Sequence, residues 1–214
     1  MENKVVELKV ENTNLEEQRY AVMEIFDSIQ GEGSMMGMPV TFIRMKGCNL
    51  TCPWCDTKES WKKEEPNMTI QEIIAKCNRT QVVITGGEPC AQNIAPLVEA
   101  LHRVDKFVAI ETNGTLPTPE NIDWVVCSPK PPYYKIHENC WFNELKYVVD
   151  DNFSLDCVPE DMKQVCGPVW LQPCDYGKGQ EARTEASIQK CVQFAMDTTF
   201  LRVGIQLHKI FDLK

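Results

Sequence analysis

The stretch Gly47-Cys48-Asn49-Leu50-Thr51-Cys52-Pro53-Trp54-Cys55-Asp56-Thr57 decides how the rest of the chain is read. Its three cysteines stand at C-x3-C-x2-C, close enough on one short loop for three thiolates to converge on a soft metal centre. A structural zinc site closes with four protein ligands. A four-iron cluster has four irons to hold, so three thiolates leave one iron open to a small molecule. Read alone, the triplet also suits half of a zinc site with a distant fourth ligand, or three buried apolar thiols. Pro53 and its polar neighbours read as loop, which weighs against buried thiols. The chain has 11 cysteines, and the other eight (Cys77, Cys90, Cys127, Cys140, Cys157, Cys166, Cys174 and Cys191) supply no second closely spaced pair.

Working outward, Pro39–Met45 reads as a strand that runs straight into this loop, with Arg44 near its end. Without further context Arg44 is an ordinary surface ion-pair residue. Residues 21–26 form an earlier strand that delivers the turn-prone segment Ile29-Gln30-Gly31-Glu32-Gly33. Beyond the loop, Thr69 and Glu72 make a capping box. Ile70, Ile73, Ile74 and Cys77 follow at helical spacing, so Cys77 belongs to a core face. Ile94, Leu97, Val98 and Leu101 mark a second helix with Asn93 as its cap. Ile188, Cys191, Val192 and Ala195 mark a third. Short buried strands are expected at 81–84, 107–110, 124–127, 145–149, 168–171 and 201–205.

Several of these strands end in a compact motif: Thr85-Gly86-Gly87-Glu88-Pro89, Glu111-Thr112-Asn113-Gly114, Ser128-Pro129-Lys130 and Gln172-Pro173. Strands alternating with helices imply a parallel sheet. In barrel-like α/β folds the active site gathers at the carboxyl ends of the strands, so these motifs share one rim. The proline-rich gap between 127 and 145 is too short for a helix. The expected fold is therefore α/β, an incomplete, open TIM-like barrel with about six parallel strands.

The whole-chain quantities bound the function. A chain of 214 residues with 43% hydrophobic and 25% charged residues fits one globular domain. Its net charge of −9 disfavours direct contact with nucleic acid or with an anionic membrane surface. With no long apolar run or signal segment, a soluble, cytoplasmic protein is expected, in which cysteines stay as thiols or bind metal. Residues 1–19 read as a polar leader, an edge strand around 5–10 or a flexible lead, and 20–214 as a single domain.

The motifs also carry a resemblance. C-x3-C-x2-C after one strand and G-G-E-P after the next are similar to the radical S-adenosylmethionine (SAM) enzymes. Within them, F-D-S-I-Q-G-E-G, F-I-R-M-K-G-C-N-L-T-C-P-W-C-D-T, I-T-G-G-E-P, E-T-N-G-T, S-P-K, L-Q-P and Q-L-H-K resemble the 7-carboxy-7-deazaguanine synthase family, from about Tyr20 onward. The resemblance implies a radical SAM core in which Cys48, Cys52 and Cys55 hold a 4Fe-4S cluster. S-adenosyl-L-methionine would chelate the open iron, bordered by Trp54 and Asp56. Gly87 would allow close approach at its methionyl end. Ser128, Pro129 and Lys130 would hold its ribose or carboxylate, and Gln172, Pro173, Cys174 and Asp175 its adenosyl part.

The implied reaction is radical ring contraction of 6-carboxytetrahydropterin to 7-carboxy-7-deazaguanine with loss of ammonia, feeding 7-deazapurine (queuosine) synthesis. The matching substrate positions are Ile29, Gln30, Gly31, Glu32, Arg44, Thr85 and His208, with the Lys214 carboxylate closing the same pocket. Arg44 has the fork geometry for an anion. Thr57 is implied as a ligand of Mg2+ bridging to the substrate carboxylate, a hard ion that suits oxygen donors. The resemblance further implies an electron donor such as flavodoxin or ferredoxin, and a homodimer. Two other readings share the cysteine triplet: an activase that installs a glycyl radical on a partner protein, and a non-catalytic metal-binding regulator. The Ile29–Gly33 segment, Arg44 and the His208-Lys209 end argue against the activase, and iron analysis discriminates the regulator.

Overall fold

The computed structural model describes residues 18–159 and 167–214. The alternating stretch expected near residues 5–10 lies outside them. Among the described residues ten strands are present: β1 (Arg19–Tyr20), β2 (Val22–Ile29), β3 (Pro39–Met45), β4 (Met68–Thr69), β5 (Gln81–Gly86), β6 (Phe107–Thr112), β7 (Trp124–Cys127), β8 (Glu144–Val149), β9 (Val169–Pro173) and β10 (Leu201–Val203). The helices are α1 (Ile70–Ile74), α2 (Ala95–His102), α3 (Glu181–Asp197) and α4 (Leu207–Ile210).

Eight strands form one sheet in the order β10-β9-β8-β7-β6-β5-β3-β2, and β1 pairs with β4 in a small separate sheet. Seven neighbours, β3 and β5 through β10, run parallel, one more than about six. As expected, residues 128–143 return the chain from β7 to β8 without a helix. Within this sheet only β2 is antiparallel to its neighbour, while β1 and β4 also pair antiparallel. β2 is joined to β3 by a tight turn, closed by Gln30 N donating to Met38 O and Gly37 N donating to Gln30 O, both at 2.8 Å. A short turn permits only antiparallel pairing. β2 also runs on to Ile29, past the end expected at 26, so Ile29 belongs to the strand rather than to the turn.

The helices cover the outer face of the sheet. Ile43, Val82, Ile84, Val108 and Ile110 pack there against Ile70, Ile73, Leu97, Val98 and Leu101. The capping box forms as expected: Glu72 N donates to Thr69 Oγ1 at 3.2 Å, and Thr69 N to Glu72 Oε2 at 2.8 Å. Asn93 does not cap α2. The helix starts after Ile94 with Pro96 in its first turn, where a missing N–H reduces the need for a cap. The Asn93 carbonyl instead accepts from the Tyr20 hydroxyl at 3.0 Å. On α3 the buried stripe runs through Ser187 and Cys191, while Val192 is exposed. Ser187 Oγ takes a hydrogen bond from Cys174 N at 2.8 Å and gives one to Val149 O at 2.6 Å, which draws that face onto β8 and β9.

The edges β10 and β2 do not pair, so the barrel is open. Its rim is bridged across the gap by Leu207 N donating to Gly31 O at 2.9 Å.

Candidate active site

Side chains alternate across a strand, so each strand's inner row can be read from sequence order. Val40-Phe42-Arg44, Val83-Thr85, Ala109-Glu111, Glu144-Lys146-Val148 and Trp170-Gln172 each climb the inside of the barrel. The lower members Val40, Val83 and Ala109, with Met35, make an apolar floor. The upper members Arg44, Thr85, Glu111, Lys146 and Gln172 line a cavity of about 280 Å³ at the carboxyl ends of the strands. Below them the buried Glu144 carboxylate accepts from Ser34 Oγ at 2.6 Å, Trp124 Nε1 at 3.2 Å and Trp170 Nε1 at 2.7 Å. These bonds hold the turn after β2 against the barrel.

The cysteine loop closes one side of the cavity. Gly47 N donates to Ser60 O and Glu88 N to Gly47 O, both at 2.8 Å. A Cβ at Gly87 would lie 2.2 Å from Gly47 O. The glycine is therefore required for packing against the loop backbone, a steric demand different from the one expected. Glu88 is fully buried and accepts from Thr112 Oγ1 and Asn113 N at 2.7 Å and from Cys90 N at 3.0 Å. Burial nonetheless raises its carboxyl above the usual range. This carboxylate joins the ends of β5 and β6 beneath the loop. Trp54 Nε1 donates to Asp150 Oδ2 at 3.1 Å, and Lys130 Nζ sits 5.2 Å from the Trp54 ring centroid.

Cys48, Cys52 and Cys55 are free, half-buried thiols lining this one cavity. Burial raises the thiols of Cys48 and Cys52, so a metal centre would have to displace their protons. Among the described residues no three His, Cys, Asp or Glu side chains converge closely enough to hold a single ion. Three thiols from one loop facing a shared cavity suit a cluster, in which each thiolate binds a different iron.

Opposite the loop lies a second polar group. Lys146 bonds Glu32 Oε2 and lies 3.9 Å from Glu111 Oε1. Gln30 Nε2 donates to Glu111 Oε1 at 3.1 Å, Thr85 Oγ1 to Glu111 Oε2 at 2.9 Å, and Gln206 Nε2 to Glu32 Oε1 at 2.8 Å. Burial alone would raise the Glu32 carboxyl, but the charge and hydrogen bond of Lys146 overcome it and bring it down to about 2. For Lys146, burial is likewise outweighed by Glu111 and Glu32, which hold the ammonium above the usual lysine range. Lys130 moves the other way, lowered by burial and by Lys146.

All but two of the residues singled out from the sequence line this cavity. Gly31 backs onto His208, whose Nδ1 stands 2.3 Å from where a Cβ would be. Pro129 is buried behind Ser128 and Lys130. Arg44 Nε donates to Glu24 at 2.9 Å, and its Nη1 to Thr57 Oγ1 at 3.3 Å. Thr57 in turn donates to Asp56 Oδ1 at 3.0 Å. Asp175 is lowered by its bond to Lys209. Lys214 reaches the rim, where its carbonyl accepts from Ser28 Oγ at 2.8 Å. Sequence reasoning gave no role to Lys146, Glu111, Gln206 or Asp150. The available signal for Lys146 was a lysine in a strand between Leu145 and Tyr147, both fully buried on the opposite face.

The Radical SAM superfamily signature matches residues 42–126. The 7-carboxy-7-deazaguanine synthase of Bacteroides thetaiotaomicron is 49% identical over 196 residues, covering 90% of this chain and 98% of that protein. The enzymes of the same name from Aquifex aeolicus and Synechocystis sp. are 39% and 32% identical, each covering 91% of this chain and 94% of the relative. The crystal structure of QueE from Escherichia coli matches with a TM-score of 0.72 at 27% identity, over 94% of this chain and 100% of that one.

Proposed function

Because the chain belongs to the 7-carboxy-7-deazaguanine synthase family of radical SAM enzymes, we propose that its cavity is divided between a cofactor half and a pterin half. The activity is that of a radical SAM lyase converting 6-carboxytetrahydropterin to 7-carboxy-7-deazaguanine with loss of ammonia. Neither the activase nor the metal-binding regulator is favoured by these relatives. The observation that carries the reading is the pairing, across one cavity, of a three-thiolate loop with the Arg44, Glu32 and Glu111 side chains.

Cys48, Cys52 and Cys55 would hold the cluster, and Trp54, Asp56, Gly87, Ser128, Lys130, Gln172, Pro173, Cys174 and Asp175 the S-adenosylmethionine. When bound, the two supply a carbon-centred radical for hydrogen abstraction from the substrate. The protein's own part is to bind, orient and exclude water. Arg44 pairs the pterin carboxylate through its planar fork. Glu32 accepts from the amino group and ring N–H of the pterin. Gln30 and Thr85 fix Glu111 beside it, and Ile29 and His208 cover the ring. Thr57, beside the Asp56 carboxylate, offers the oxygen donors that suit Mg2+. Arg44 donates to the same hydroxyl and would stand beside both the ion and the substrate carboxylate.

A one-electron donor of the flavodoxin or ferredoxin type, a homodimer and a cytoplasmic location complete the reading. Among the described residues no helix is long and apolar enough to cross a membrane. Anaerobic reconstitution with iron and sulfide, followed by turnover of carboxytetrahydropterin and mass analysis, tests the reading. Iron incorporation with a product that has lost ammonia is expected; a loaded protein that leaves the pterin unchanged overturns it.

A further inference from the structure

Deep in the cavity one lysine serves two carboxylates. Lys146 is only 8% exposed, and among the described residues it alone makes a salt bridge to Glu32 or Glu111. Both carboxylates are otherwise held by neutral donors, Gln206 on Glu32 and Gln30 and Thr85 on Glu111. Two carboxylates in one low-dielectric site repel, and without a cation one of them takes up a proton. A protonated carboxyl offers a donor where an acceptor is needed. The amino group and adjacent ring N–H of an aminopyrimidinone edge present two parallel donors, which demand an ionised, bidentate partner.

We propose that Lys146 is a positioning residue for the substrate: it holds Glu32 and Glu111 together as a pair of anions, so that the clamp they form accepts the paired N–H donors of a 2-amino-4-oxopyrimidine ring. The proposal rests on the pterin reading above. The other titratable groups facing this trio are Lys130 from the β7 end, His208 from α4 and Glu144 one step down β8. Glu144 is occupied by Ser34, Trp124 and Trp170. Lys130 donates to Ser128 Oγ at 2.6 Å. Among the described residues Lys130 makes no ion pair with either carboxylate, and Glu144, itself an acceptor, cannot bridge them.

The test compares the full-length, reconstituted wild type with Lys146→Met, Lys146→Arg and the double variant Lys146→Met/Glu111→Gln. Pterin Kd by tryptophan fluorescence and pterin KM and kcat are followed from weakly acidic to weakly alkaline pH. Pterin-independent cleavage of S-adenosylmethionine reports the cofactor half. In Lys146→Met, Kd and KM should rise about tenfold or more on the acidic side and recover as the shared proton leaves. Lys146→Arg should stay near wild type, and removing the second charge with Glu111→Gln should abolish the new pH dependence. Should Lys146→Met not fold, Lys146→Gln carries the same comparison. A pH-independent loss of kcat with unchanged pterin affinity, or Lys146→Arg as impaired as Lys146→Met, overturns the proposal alone. A wild type that cleaves S-adenosylmethionine but neither binds nor converts the pterin overturns the functional reading, and the proposal with it.

Discussion

Arg44 ends the inner row of β3 and makes three contacts at once: Glu24, the Thr57 hydroxyl, and the Phe26 ring with its centroid 5.7 Å away. A lysine keeps the charge but cannot reproduce a planar fork that serves several partners. Arg44→Lys is therefore expected to raise the pterin KM about tenfold or more, a loss in the range of a charge-assisted hydrogen bond. S-adenosylmethionine cleavage without pterin should stay near wild type; comparing the two assays checks it. At this scale the sequence was most informative where residues were unusual for their surroundings. Three cysteines in a proline-containing loop announce chemistry, whereas the arginine at the strand end beside them reads as a surface ion-pair residue until the family resemblance gives it a role. Lys146 announces nothing, because a charged residue in a strand reads as solvent-facing until the other side of the sheet is known to be enclosed; Glu111 is placed on the rim by its strand-end motif but given no role of its own.

Between elements, the site depends on backbone contacts that no spacing rule reports. Gly87 touches Gly47 O so closely that a methyl group at 2.2 Å cannot be accommodated without shifting the cysteine loop. Gly87→Ala should cost about 1–3 kcal/mol, as overpacking does, and lower the iron bound per chain after reconstitution. Iron analysis beside a thermal melt measures both. Ser187 is the second such contact. Ser187→Ala leaves Cys174 N and Val149 O without their buried partner, a loss of about 1–3 kcal/mol that a lowered Tm would register. Periodicity marked α3 and its buried Cys191 but put Val192 on the same face and missed Ser187, because apolar spacing cannot see that a serine hydroxyl is needed between two strands. The strand series and the capping box at Thr69 were legible, since both are set by local pattern.

For the molecule as a whole, the Glu32–Lys146 pair links pH to stability. An unfolded glutamate titrates near 4.5, whereas Glu32 in the folded chain stays ionised down to about 2. The unfolded state therefore binds the proton first, and the stabilisation present above pH 4.5 is lost as the pH falls through this window. Denaturant unfolding should show a decline there on the order of 3 kcal/mol from this group, and Glu32→Gln should flatten it. The parallel order of the sheet was legible from alternating strands and helices. Its open edge was foreseen from length, but what spans that opening was not: the contact joins residues at opposite ends of the sequence, and no local pattern encodes it.

That contact, Leu207 to Gly31 with His208 seated on the glycine, has a consequence for how the binding pocket arises during synthesis. One wall leaves the ribosome with the first strands and its counterpart only after the whole sheet has been translated. No nascent fragment holds a finished pocket, although the cysteine loop is complete long before. Recognition of the pterin therefore waits for the last turn of helix.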